Sequence, residues 1–122
     1  MNKLEFVQRA SERARTRYHQ EFSAALLNDL MKADLVPKAR RLSNNGRRPV
    51  YAFDAPAYRR ALQITRIRAA GIVGHDALRI MLFLKGYSEP AWRVREAILA
   101  EYVANGRSLL APVRSTYRSV FP

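Results

Sequence analysis

The side chains with the most chemistry to offer are the arginines. The chain of 122 residues carries 22 Lys and Arg against 10 Asp and Glu, a formal net charge of +12, and 18 of the 22 cations are Arg. Arg presents a rigid planar fork that meets phosphate oxygens two at a time, whereas Lys is a point charge, so an excess built from Arg points to a phosphate-bearing partner. The charge is uneven: residues 1–70 hold 15 cations and 6 anions, and residues 71–122 hold 7 and 4. The densest stretch, Lys38 to Arg60, carries Lys38, Arg40, Arg41, Arg47, Arg48, Arg59 and Arg60 against the single acid Asp54. The binding face is therefore expected in the first half of the chain.

Other chemistries find little support. The two histidines, His19 and His75, stand far apart, no acidic pair flanks a base, and neither an HExxH helix nor a Gly-rich phosphate loop occurs. His75-Asp76 reads more simply as the start of a helix. With no cysteine there are no disulfides, zinc ribbons or thiol nucleophiles, and no carboxylate–histidine cluster suggests a metal. Neither catalysis nor a cofactor is expected. The longest aliphatic and aromatic run, Ile80 to Leu84, is too short for a signal peptide or a membrane span, so a cytoplasmic chain without a membrane partner is expected.

The elements that must position the cations follow from periodicity and punctuation. Leu4, Val7, Ala10, Ala14 and Tyr18 recur every three or four residues, which predicts a helix from 3 to about 19, with Arg9, Arg13 and Arg17 along another face. Ser23 can cap a second helix through Leu26, Leu27, Leu30 and Met31 to Asp34, closed by Pro37. Asn45-Gly46 suits a tight hairpin turn and Val50, Tyr51 and Phe53 favour strand, so residues 38–54 read as a β-hairpin with a basic tip, with Pro49 on an edge or bulge. Asp54 can cap a third helix that has Pro56 in its first turn and ends at Gly71. Asp76 to Lys85, ended by Gly86, is a fourth helix and the most apolar one, and a fifth runs from Ala91 to Asn105. Leu110, Val113, Tyr117 and Val120 hint at a short last helix despite Pro112. The fold class is mainly α with a small β-hairpin, with residues 1–88 as one domain and 89–122 as a helical extension.

Helix, helix, basic hairpin, helix is the order of a winged helix-turn-helix, in which the second helix enters the major groove and the hairpin tip rests on the backbone. The residues carry a further resemblance. Ser23-x-x-Leu26-Leu27, then Met31 to Arg40, then Asn45-Gly46-Arg47-Arg48-Pro49-Val50-Tyr51, is similar to the recognition helix, helix exit and wing of the MerR family, with Asp34 where that family has Gly. Tyr58 to Gly71, Asp76-Ala77-Leu78-Arg79 and Leu82 to Ser88 continue the resemblance, which covers roughly residues 20–90. It implies a duplex-DNA-binding transcriptional regulator that works by positioning, as a homodimer, associated with the nucleoid. Ser23, Ala24 and Asn28 would lie on the recognition helix, with His19 and Gln20 just before it. Asn and Gln can bond an adenine edge bidentately, and small Ser and Ala permit close approach. Arg47, Arg48 and Tyr51 match wing positions, and Arg40 and Arg41 would anchor phosphates beside them. Asp29 should face away from DNA. Only about thirty residues follow the fourth helix, too few for a ligand-binding domain, so no small-molecule effector is expected. The heptad-like Leu110, Val113, Tyr117 and Val120 are the dimer candidate.

Plainer readings stand beside these. The Arg9-Arg13-Arg17 stripe suits a solvated face paired with Glu5, Glu12 or Glu21 as well as it suits phosphate, and Arg40, Arg41, Arg47 and Arg48 could serve solubility alone. Ser23 reads first as a helix cap. Tyr51, Phe53, Tyr58 and Trp92 sit at core periodicities rather than as stacking platforms, and Phe83 and Tyr87 read as core. The alternatives in function are a phage or plasmid accessory protein of excisionase-like or architectural type, and a basic adaptor for RNA, acidic protein or anionic lipid.

Overall fold

Local capping chemistry sets where each helix begins and ends. The computed structural model describes residues 1–42, 50–105 and 117–121, without the side chains of 101–105. Helix α1 spans Lys3–Tyr18, and Asn2 caps it by accepting from the Glu5 N–H at 2.8 Å. Helix α2 spans Ala24–Lys32, strands β1 and β2 span Arg40–Leu42 and Val50–Ala52, and helices α3, α4 and α5 span Ala55–Ala69, His75–Lys85 and Ala91–Asn105. Asp54 Oδ1 accepts from the Ala57 N–H at 3.1 Å and so starts α3, as its type and place predict. The fold is therefore mainly helical with one small antiparallel sheet. The hairpin turn with Asn45-Gly46 and Pro49, and Leu110, Pro112 and Val113, lie outside the described residues.

Two helix ends use the same device. After α2 the Asp34 N–H donates to the Met31 carbonyl and the Leu35 N–H to the Leu30 carbonyl, while Asp34 itself takes a left-handed φ of 55°. This is a Schellman closure with buried Leu35 against buried Leu30. After α4, Gly86 at φ 98° and Tyr87 repeat the pattern on Phe83 and Leu82. Glycine enters that conformation freely; Asp tolerates it less well, and here two backbone bonds hold it there.

The chain forms two compact units, Met1–Thr65 and Arg66–Pro122, with the boundary inside α3. The first unit is organised around Phe6, which is fully buried. Its ring centroid lies 4.7 Å from Phe53, 5.5 Å from Tyr58 in an edge-to-face pair, and 6.1 Å from Phe22. The buried stripe of α1 is thus Phe6-Ala10-Ala14. The expectation that Leu4 and Val7 line the core is corrected: Leu4 is 68% exposed and Val7 half-buried, because the stripe is rotated toward the aromatic ring. Met1 and Phe53 exchange backbone hydrogen bonds of 3.0 and 2.7 Å, tying the chain start to the base of the hairpin.

The strands pair in the register Arg40↔Ala52, Arg41↔Tyr51 and Leu42↔Val50. Both of their faces meet solvent, since Leu42, Val50 and Tyr51 are each about half exposed. Tyr51 is therefore not core. Arg60, one of the cations of the basic stretch, is buried and donates to the Leu35 carbonyl at 2.5 Å, so it holds the α2 exit rather than a ligand.

In the second unit α4 packs on α5, burying Leu78, Ile80, Met81 and Leu82 of the former and Val94 and Ala97 of the latter. Arg79 pairs with Glu89 at 2.7 Å, both side chains almost wholly buried. Such a pair tolerates the loss of neither partner, because the survivor would be a buried lone charge. Phe121 meets two cations, with the Arg66 guanidinium and the Lys85 ammonium each 4.8 Å from its ring centroid, and Arg66 also donates to the Val120 carbonyl. Phe83 and Trp92 do not join the core as their periodicity predicts; they are 46% and 52% exposed on the outer sides of their helices.

Truncating Phe6 to Ala should cost about 3–5 kcal/mol, measured by urea unfolding followed by far-UV circular dichroism, because the ring meets three partners at once. Leu4→Ala should change the midpoint little.

Candidate nucleic-acid interface

The residues singled out in the sequence occupy the first unit, where local geometry decides how each is offered to solvent. Ser23 adopts extended backbone and its Oγ accepts from the Leu26 N–H at 3.1 Å, so it is the N-cap of α2. The hydroxyl proton stays free to donate outward, so capping and ligand contact are compatible. Leu27 and Leu30 face inward, leaving Ser23, Ala24, Ala25 and Asp29 exposed. Small residues at the start of a capped helix let another molecule approach the backbone closely, with the positive helix end behind them.

His19 follows α1 in a left-handed conformation, φ 52°, and its N–H and that of Gln20 both donate to the Ala14 carbonyl. The reversal lets His19, Gln20 and Ser23 line one groove together with Ser11, Arg15, Glu21 and Phe22. Arg15 and Ser11 were not legible as site residues. The one available signal was that Arg15 stands four positions before His19, on the same side of the helix.

Asn28 is half-buried, and Lys3 Nζ donates to its Oδ1 at 2.7 Å. A bidentate adenine contact needs both the amide oxygen and the amide nitrogen, and Lys3 already takes one of the two lone pairs of that oxygen. The two residues are 25 apart in sequence, and no local pattern announces the pair.

Arg40, Arg41 and Tyr51 do not line that groove; they belong to the strand pair. Arg41 and Tyr51 are direct cross-strand partners and share a face, while Arg40 points to the other face with Leu42, Val50 and Ala52. Both arginines are exposed and neither makes an ion pair among the described residues. Arg47 and Arg48 lie outside the described residues. The cations of the hairpin thus spread over both faces of a ribbon anchored at its base by Phe53.

On α1, Arg9 bonds Glu5 at 2.9 Å, which is the solvated pairing weighed for that stripe, whereas Arg13 and Arg17 have no such partner among the described residues. Among the described residues no three of His, Asp and Glu gather as a metal ion would require, and no helix is long and apolar enough to cross a membrane. No protein-family description, curated protein or solved structure matches the chain.

Ser23→Ala should lower stability by about 1 kcal/mol in thermal melts, while Ser23→Asp, which keeps an acceptor for the Leu26 N–H, should leave the melting temperature within about two degrees of wild type.

Proposed function

We propose that the chain binds duplex DNA in the manner of a MerR-like winged helix-turn-helix protein, with α2 in the major groove and the β1–β2 ribbon against the backbone, and that it regulates transcription by positioning. The observation that carries this reading is the strand pair: Arg40 and Arg41 stand exposed and without an ion pair among the described residues, on a two-stranded ribbon that carries no buried residue of its own. A ribbon that adds nothing to the core and carries cations on both faces is suited to an anionic surface. Three further features support it. The capped start of α2 offers Ser23 and Ala24 outward. Asp29 is exposed and can turn from a phosphate surface. Asp34 holds a left-handed φ at the position where the family has Gly.

The partner is a second copy of the chain as well as DNA, and the structure offers a pairing element beside the one read in the sequence. Of the dimer candidates, Leu110 and Val113 lie outside the described residues, Tyr117 is half-buried with its ring 5.1 Å from Phe121, and Val120 is buried within its own unit. The outward face of α5 suits the task better. Among its described side chains, the exposed residues Ala91, Trp92, Arg95, Glu96, Leu99 and Ala100 are distributed symmetrically about the point between Arg95 and Glu96. An antiparallel pairing about a two-fold axis there sets Trp92 on the second copy's Leu99, Arg95 on its Glu96 and Ala91 on its Ala100. One apolar anchor, one ion pair and one small-residue contact are each made twice, as an isologous interface requires. A two-fold dimer reads two half-sites, so the operator should be an inverted repeat.

Fluorescence anisotropy across a salt series checks the DNA reading. Duplex DNA should bind more tightly than single strands or duplex RNA, and Arg40→Ala with Arg41→Ala should reduce the log–log salt slope by about two units, as should Arg47→Ala with Arg48→Ala. Equal affinity for RNA, or a slope indifferent to both pairs, overturns it and points to the adaptor alternative. Light scattering checks the dimer: wild type should weigh twice the 14.0 kDa chain, and Leu99→Glu should return it to one.

A further inference from the structure

Helix α1 carries a second cationic feature that the proposed reading does not use. Arg9, Arg13 and Arg17 are spaced four residues apart and, with Glu12, Thr16 and Tyr58 of α3, line one groove. Successive guanidinium groups advance about 6 Å along the helix, of the order of the step between neighbouring phosphates on one strand. Like charges four apart on a helix repel, so Arg13 between Arg9 and Arg17 is a standing cost to α1. Glu5 relieves it only at Arg9. Thr16 turns its hydroxyl onto the Glu12 and Arg13 carbonyls, and so takes no charge off the stripe. A lone anion would satisfy one arginine; a stripe of three at a regular stride matches a ligand whose charges repeat.

The position of the groove decides which ligand segment it meets. Arg13 and Arg15 are about 200° apart around α1. Arg15 lines the groove at His19, Gln20 and Ser23, beside the start of α2, whereas Arg13 lines the groove at Tyr58 of α3. The buried stripe Phe6-Ala10-Ala14 runs between the two flanks. The arginines beside Tyr58 thus stand on a different flank of α1 from the groove that borders the start of α2.

We propose that the groove between α1 and α3 is a second phosphate-backbone site, which takes a DNA segment other than the one held by α2, so that one copy of the first unit joins two segments. This rests on the duplex-binding reading above. Tyr58 walls the groove and Arg13 and Arg17 supply the charge, with Glu12 as the acid on its rim.

The test separates bridging from binding. A biotinylated duplex is fixed on streptavidin beads, the full chain is added, and capture of a second, fluorescent duplex is measured, with anisotropy on the same short duplex alone. Arg13→Gln with Arg17→Gln should cut capture at least about tenfold while changing single-duplex affinity by no more than about threefold, and Arg13→Lys with Arg17→Lys should restore capture, since phosphate needs the charge. Circular dichroism confirms that both variants fold. Capture that persists in the Gln variant overturns the proposal and assigns bridging to two α2 helices of a dimer. An equal loss of single-duplex binding also overturns it, by placing the groove in the α2 footprint. Wild-type binding without capture defeats this inference alone; no duplex binding at all defeats the reading beneath it.

Discussion

Everything that the first unit offers to solvent depends on the burial of one ring. Phe6 touches the loop that leads into α2 through Phe22, the end of the hairpin through Phe53, and α3 through Tyr58. Edge-to-face and tilted aromatic pairs have preferred separations, so these contacts set spacing as well as burying apolar area. The start of α2, the base of the ribbon and the first turns of α3 are thereby fixed against a single helix. Because Phe53 is the last residue of the hairpin held in the core, the strands beyond it are free to carry charge instead of packing.

The cations divide by what surrounds them. Arg60 and Arg79 are buried and work inside the fold, one closing the exit of α2 on the Leu35 carbonyl and one paired with Glu89. Arg66 shares its charge between the Val120 carbonyl and the face of Phe121. Burying a guanidinium is costly unless its donors are met, and each of these has an acceptor in reach. Arg13, Arg17, Arg40 and Arg41 are exposed and make no ion pair among the described residues. A formal charge of +12 thus overstates the cationic charge offered to solvent, because part of it is structural.

Proposed pairing through α5 and proposed binding through the first unit draw on separate halves of the chain. Val94 and Ala97 face α4, so the opposite face of α5 can carry Trp92 and Leu99 without weakening the core. Those exposed side chains cost solubility in a lone chain, and covering them recovers the apolar area.

Much of the architecture was legible in short stretches of sequence. Ser23 and Asp54 cap helices, Gly71 and Gly86 end them at positive φ, and Pro37 follows α2, because capping and chain reversal are chemistry between residues a few positions apart. Which periodic residues become core was not legible. Leu4, Tyr51, Phe83 and Trp92 satisfy the spacing and yet stand in solvent, whereas Phe6 and Phe22, outside the stripes read in the sequence, are buried. Periodicity marks that a helix has an apolar side; only the partner across the gap decides how far that side is rotated. The site divides in the same way. Composition by itself determined an Arg-rich, strongly cationic chain, and the clustering of those cations around residues 38–60. Tertiary structure alone decided that Arg60 is withdrawn from that cluster, that Lys3 occupies Asn28, and that Arg15 joins His19 and Ser23 while Arg13 turns to Tyr58. The reason is distance along the chain: pairings across twenty-five residues leave no local imprint, and burial is a property of the space that two elements share.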